Sequence, residues 1–186
     1  MGATADSATR KVTPPPPVYR ETFAHQITGF YAELTSHGHS VQTKVLRLER
    51  IDPPGTVAER LKLGRREPVV HVLRLRMVDG RPNHIAETFL RSDLFPGLES
   101  ADLSQGSLFA LLRQRYSAKL ARSEVLVEAR PATLDQATQL EIELGAPLLA
   151  VKNTVYSPAG EPILFTQTWQ RGQESQIEFE VLASDG

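Results

Sequence analysis

Cysteine is absent from the 186 residues. That removes disulfides, thiol chemistry and cysteine-based metal centres together. No apolar run approaches the roughly 20 residues that a membrane-spanning helix needs, and the opening MGATADSATRK has no apolar stretch of the kind a secretory signal carries. An excess of charge is missing too. Lys plus Arg number 21 against 22 for Asp plus Glu, a net of −1, whereas a dedicated nucleic-acid-binding domain carries a basic surplus. The common enzyme signatures are absent: there is no G-x-S-x-G, P-loop, G-x-G-x-x-G or H-E-x-x-H. The histidines are scattered at 25, 37, 39, 71 and 84. His37 and His39 flank Gly38 without a third ligand close by, so no metal is expected. No cofactor is expected either. What is present, 40% hydrophobic and 23% charged residues, suits one globular domain with a short appendage. The expectation is a cytoplasmic domain, without membrane contact, that binds or transforms something small.

Residues 1–18 read as a tail and linker ending in Pro14-Pro15-Pro16-Pro17, a run that favours polyproline II and enters neither a helix interior nor a central strand. Residues 19–186 form the domain. Ile27, Phe30, Tyr31 and Leu34 lie at i, i+3, i+4 and i+7, one helical stripe, with Thr28 and Gly38 as its caps. VQTKVLRLERI (41–51) alternates as a strand exposed on one side. The pattern then predicts a helix over 57–63, strands 69–78 and 82–90 joined by Asp79-Gly80, a helix over 108–116, a strand over 118–129, a helix over 135–144, and strands 147–156 and 162–169.

Part of this repeats. Leu63-Gly64, Pro68-Val69-Val70 and Gly80-Arg81-Pro82 match Leu144-Gly145, Pro147-Leu148-Leu149 and Gly160-Glu161-Pro162. Two copies of helix–strand–turn–strand suit an α+β, mainly antiparallel sheet flanked by helices and carrying an internal pseudo-repeat. Charge divides between the halves: residues 44–76 hold nine basic and four acidic residues, while 124–180 hold three and nine.

Within the first copy, Arg74 and Arg76 project from one strand face and stand about 7 Å apart. The second copy has Asn153 and Val155 there, so the architecture does not require arginine. Two guanidinium forks on a rigid strand suit capture of phosphate or carboxylate. The alternative is a solvated face with the arginines paired to Glu87 or Glu49. Ser107 starts a helix, where backbone N–H groups favour an anion or the hydroxyl simply caps. Glu87 lies on the paired strand as a ligand acceptor or an arginine partner. Trp169 and Arg171 line a pocket, or Trp169 belongs to the core.

The segments R-L-R-M-V-D-G-R-P (74–82), E-T-F-L (87–90), G-S-L-F-A-L-L (106–112), L-G-A-P-L-L-A-V (144–151) and G-E-P-I (160–163) together resemble the UTRA domain, the effector-binding domain of GntR-type transcription regulators of the HutC subfamily. The resemblance spans about residues 25–182. It implies a chorismate-lyase-like fold with a ligand pocket at the sheet, a homodimer, and operator DNA bound through an N-terminal winged helix-turn-helix domain outside this chain. It implies that Arg74 and Arg76 grip an anionic effector, often a sugar phosphate, joined by Ser107 and Glu87, with Thr28, Gly29 and Phe30 closing over it. Thr166, Trp169 and Arg171 complete the expected ligand-binding set. Leu164 and Gln173 stand where family members often carry acids, which argues against an amino-sugar phosphate. The rival expectation is a chorismate-lyase-like enzyme, since fold alone does not decide function; a third is a purely structural dimerisation module.

Overall fold

The computed structural model describes residues 17–23, 30–64 and 66–179. Six strands form one antiparallel sheet: β2 (Val41–Ile51), β3 (Val69–Val78), β4 (Arg81–Arg91), β5 (Arg122–Pro131), β6 (Pro147–Tyr156) and β7 (Pro162–Arg171), in the order β2-β3-β4-β7-β6-β5. β3 meets β4 through Asp79-Gly80, both at positive φ (50° and 80°), the backbone that a tight hairpin of the right twist demands. That order makes the repeat visible in space. Each copy contributes an edge strand, then a helix, then a hairpin, and the two hairpins pair along β4 and β7 at the sheet's centre. Even the irregularities match: β3–β4 slips between Arg76 and Met77, and β6–β7 between Val155 and Tyr156.

The helices of the repeat are α2 (Gly55–Leu61) and α4 (Leu134–Leu140). They cover one face, with packing crossed between the copies: α2 lies over β7 and α4 over β4. Val57 and Leu61 bury against Val69, Phe89 and Phe165, while Ala137 and Leu140 bury against Leu75, Ile85 and Leu148. Both helices are displaced from their sequence-predicted spans of 57–63 and 135–144. Each stops when a non-glycine residue turns left-handed, Lys62 (φ 52°) and Glu141 (φ 54°), rather than running to Gly64 or Leu144.

The opposite face is covered in two places. α3 (Leu108–Tyr116), as expected from the sequence, and a 3-10 turn at Leu98–Ser100 pack Leu98, Leu108 and Leu112 on Val70, Val72, Leu90 and Leu164. At the other end α1 (Phe30–Ser36) sets Phe30 and Leu34 against Val78 and Tyr19. Ile27 and Thr28, expected in that helix, lie outside the described residues, as do the prolines at 14–16. The strand expected over 118–129 is Arg122–Pro131 instead. Its partner β6 ends at Tyr156, opposite Arg122; Ala121 still donates to the Tyr156 carbonyl at 2.9 Å, but residues 118–120 have no ladder to join. Sequence reasoning missed a separate two-stranded parallel sheet, β1 (Tyr19–Phe23) with β8 (Ser175–Phe179), because its partners lie at opposite ends of the chain.

Candidate functional site

The alternation along β3 places Val70, Val72, Arg74 and Arg76 on the face that carries α1 and α3. The first two are core. The arginines continue the same row and are equally inside, Arg74 at 5% and Arg76 at 3% exposure. The solvated, ion-paired alternative therefore fails: Glu49 pairs with Arg47, and Glu87 with His71.

Arg76 is held without a counter-ion among the described residues. Its guanidinium donates to the Thr43 hydroxyl of β2 and to the Gly106 carbonyl at 3.3 Å, just before α3. It also lies 4.9 Å from the centre of the Tyr31 ring of α1. Arg74 is barer. Its Nε is buried without a partner among the described residues, and among these the charge acting on it is that of Arg76. Burial, then repulsion from Arg76, pushes Arg74 down to about 9. Burial likewise lowers Arg76 to about 10, so both remain cationic at neutral pH. Beside them His84, opposite Arg76 on β4, is 3% exposed. Burial and then the two arginines hold its imidazole well below the ordinary value, hence neutral. Its Nδ1–H donates to Asn83 Oδ1 at 2.9 Å, and the Phe30 ring meets it edge-on at 4.8 Å.

Five of the expected site residues therefore share this face. Arg74 and Arg76 form its centre, Phe30 and Ser107 approach from α1 and α3, and Thr166 lies on β7. Ser107 caps α3 by accepting from Ala110 N at 3.4 Å. Thr166 exchanges a hydrogen bond with Thr88 at 3.0 Å and sits in the same register row as Asn153.

Three others do not join them. Glu87 pairs in register with Leu73, so it emerges on the opposite face, bonded to His71 Nε2 at 2.9 Å; it is not an arginine partner. Trp169 lies opposite Ile85 and packs in the core beneath α4. Arg171, two residues on, donates to the Pro82 carbonyl and pairs with Glu174, both at 3.3 Å. Thr28 and Gly29 lie outside the described residues.

One residue at the site escaped sequence reasoning. Glu21 of β1 accepts from Gln170 Nε2 at 2.8 Å, and Gln170 is the β7 neighbour of His84. Glu21 keeps some surface, yet its carboxyl end is desolvated. Burial first, then the nearby Glu33, raises it from 4.5 to about 7 despite the Gln170 hydrogen bond. Nothing local marks it, because only the β1–β8 pairing brings it here. Taken as chemistry, the arrangement is a dry double cation with hydroxyl donors around it. It can hold an anion, and among the described residues it offers no nucleophile beside a base.

The UTRA domain family model matches residues 36–176. Among curated proteins, the probable fructoselysine utilization operon transcriptional repressor of Shigella flexneri is 23% identical over 145 residues, covering 78% of this chain and 59% of that protein. The transcriptional repressor NagR of Bacillus subtilis is 24% identical over 146 residues, covering 78% and 60%. The chain thus spans about three-fifths of the length of these relatives. Among solved structures, PhnF from Mycobacterium smegmatis superposes with a TM-score of 0.83 at 18% identity, covering 91% of this chain and 74% of that one. The C-terminal domain of the histidine utilization repressor from Pseudomonas syringae gives 0.71 at 23% identity, covering 77% and 100%. The fold is the chorismate-lyase-like one of these regulators' effector domains, and the chain belongs to the UTRA domain family.

Proposed function

We propose that this chain is the effector-sensing part of a GntR-type repressor of the HutC subfamily. Its effector is a small anion, a phosphorylated sugar or a carboxylate, bound between Arg74 and Arg76. One observation carries the reading: two buried guanidiniums, 5% and 3% exposed, with no carboxylate of the described residues on either. Buried charge without a partner is costly, and an anionic ligand supplies what the fold leaves out. Thr43, Ser107 and Thr166 then offer hydroxyls to the rest of the ligand, and Tyr31 with Phe30 covers it from α1.

Binding acts through that cover. The Tyr31 ring lies on Arg76 and α1 follows β1, the strand nearest the chain's start, so an anion that competes for Arg76 repositions both. In the whole cytoplasmic protein this shifts the population of dimer arrangements away from the one that fits two operator half-sites. The relatives named as repressors support the repressor reading and give no support to a lyase. The homodimer draws support from Leu126, Leu134 and Leu144, exposed by 46%, 67% and 68%. All three lie in the second half of the chain. β6 and β7, by contrast, are interior to the sheet and offer no free edge.

The test is a thermal-shift panel of small phosphates, sugar phosphates and mono- and dicarboxylates, with neutral sugars as controls. Stabilisation confined to anions, and lost in Arg76→Ala, is expected. Equal response to neutral sugars, or turnover of chorismate to hydroxybenzoate and pyruvate, would overturn the reading.

A further inference from the structure

A cavity of about 380 Å³ opens at the end of the sheet away from Tyr31, between β4, α3 and the β6–β7 turn. Its walls are Phe95, Tyr116, Ala118, Pro158 and Ile163. They are fixed rather than soft. Phe95 and Ile163 are 2% and 4% exposed, the Tyr116 ring meets Phe95 edge-on at 5.3 Å, and its hydroxyl donates to the Pro96 carbonyl at 3.2 Å. The volume lies within the range of small-molecule sites, which are concave, largely apolar and preformed.

The polar groups at the mouth decide the ligand's chemistry. Arg91 is already committed, bound through two nitrogens to Asp93 at 2.9 and 3.2 Å, and Glu161 acts on that same arginine. Lys119 lines the cavity and is exposed, with no carboxylate among the described residues paired to it. An apolar pocket with one uncommitted ammonium at its rim accepts an aromatic or branched body ending in a carboxylate. We propose that this cavity is a binding site for a small apolar monocarboxylate, held by the Phe95–Tyr116–Ile163 walls and by Lys119. It is separate from the arginine pair: Tyr116 is the last residue of α3, whereas Arg76 is held by Gly106 before its first.

The probe is 1-naphthylacetate, compared with its uncharged relative 2-(1-naphthyl)ethanol, titrated into the whole chain by fluorescence. Saturable binding at one site is expected, with the carboxylate favoured about two- to fivefold, the worth of a rim-exposed ion pair. Lys119→Gln should erase that preference while leaving the alcohol unchanged. Ala118→Trp, which fills the cavity from a half-buried position, should remove both. Arg76→Ala should leave both intact and thereby separates this site from the effector site. No saturable binding, binding unchanged in Ala118→Trp, or a carboxylate preference that survives Lys119→Gln would each overturn the proposal; loss in Arg76→Ala would assign the probe to the other site and overturn it as well.

Discussion

Two guanidiniums on alternate positions of one strand repel each other when water is removed, and Arg74 and Arg76 are kept in that state. The fold carries an electrostatic cost that the proposed anionic effector would offset. Replacing Arg74 with methionine, similar in length and uncharged, should therefore stabilise the ligand-free domain by about 1–3 kcal/mol in urea unfolding, while weakening anion binding. A drop in stability of that size would mean Arg74 is satisfied in solution. Glu21 supplies the opposite case. Its carboxyl is raised from 4.5 to about 7 by burial, so the folded state holds the proton more tightly than the unfolded chain does. Its contribution is intact below pH 4.5 and is lost as pH rises to 7. Glu21→Gln should match the parent near pH 4.5 and exceed it at pH 8, by at most about 3 kcal/mol because the residue keeps some surface. Parallel stability profiles would contradict this. At the residue scale the sequence was legible only where spacing decides direction. The R-x-R alternation put both arginines on one face, but Glu87, Trp169 and Arg171 needed the register, and Glu21 needed a strand pairing across most of the chain.

At the scale of elements the two copies share more than their strands. α2 and α4 both end on a non-glycine residue in the left-handed region, Lys62 and Glu141 at φ 52° and 54°. L-residues pay for that conformation where glycine does not. Lys62→Gly and Glu141→Gly should each stabilise the domain by about 0.5–1 kcal/mol. Their starts differ: α4 opens with a capping box between Thr133 and Gln136, while α2 follows Pro54 without a side-chain cap. Thr133→Ala should cost about 1 kcal/mol, readable as a lower melting temperature, and an unchanged one would mean the box carries nothing. The repeat was visible in the sequence because its glycines and prolines sit at turn positions, which few other residues fill. The helix ends were not, because the stop is made by backbone geometry at Lys62 and Glu141 rather than by a breaker residue.

Across the whole molecule, one sheet divides labour between its faces. α2 and α4 close one side over an apolar core, and the other side holds the arginine pair between α1 and α3. The exposed leucines 126, 134 and 144 give the proposed homodimer its apolar surface. Light scattering at tens of micromolar should report a dimer, and Leu134→Glu with Leu144→Glu should shift it toward monomer without loss of fold. A monomer in the parent chain would remove that support. Antiparallel order was predictable from the hairpin signals, whereas β1–β8 was not, since a parallel pair joined across the domain leaves no local pattern.

The most direct test of the arginine site is calorimetric titration of inorganic phosphate at low ionic strength into the parent chain, Arg74→Met and Arg76→Ala, with Arg47→Ala as control. Arg47 is exposed and lies outside the site. Each lost charge-assisted hydrogen bond is worth roughly 1.5–3 kcal/mol where water is excluded. Phosphate should saturate a single site in the parent and in Arg47→Ala, and bind about one to two orders of magnitude more weakly in the two site variants. Equal affinity in all four proteins, or no saturable binding in the parent, would contradict the site.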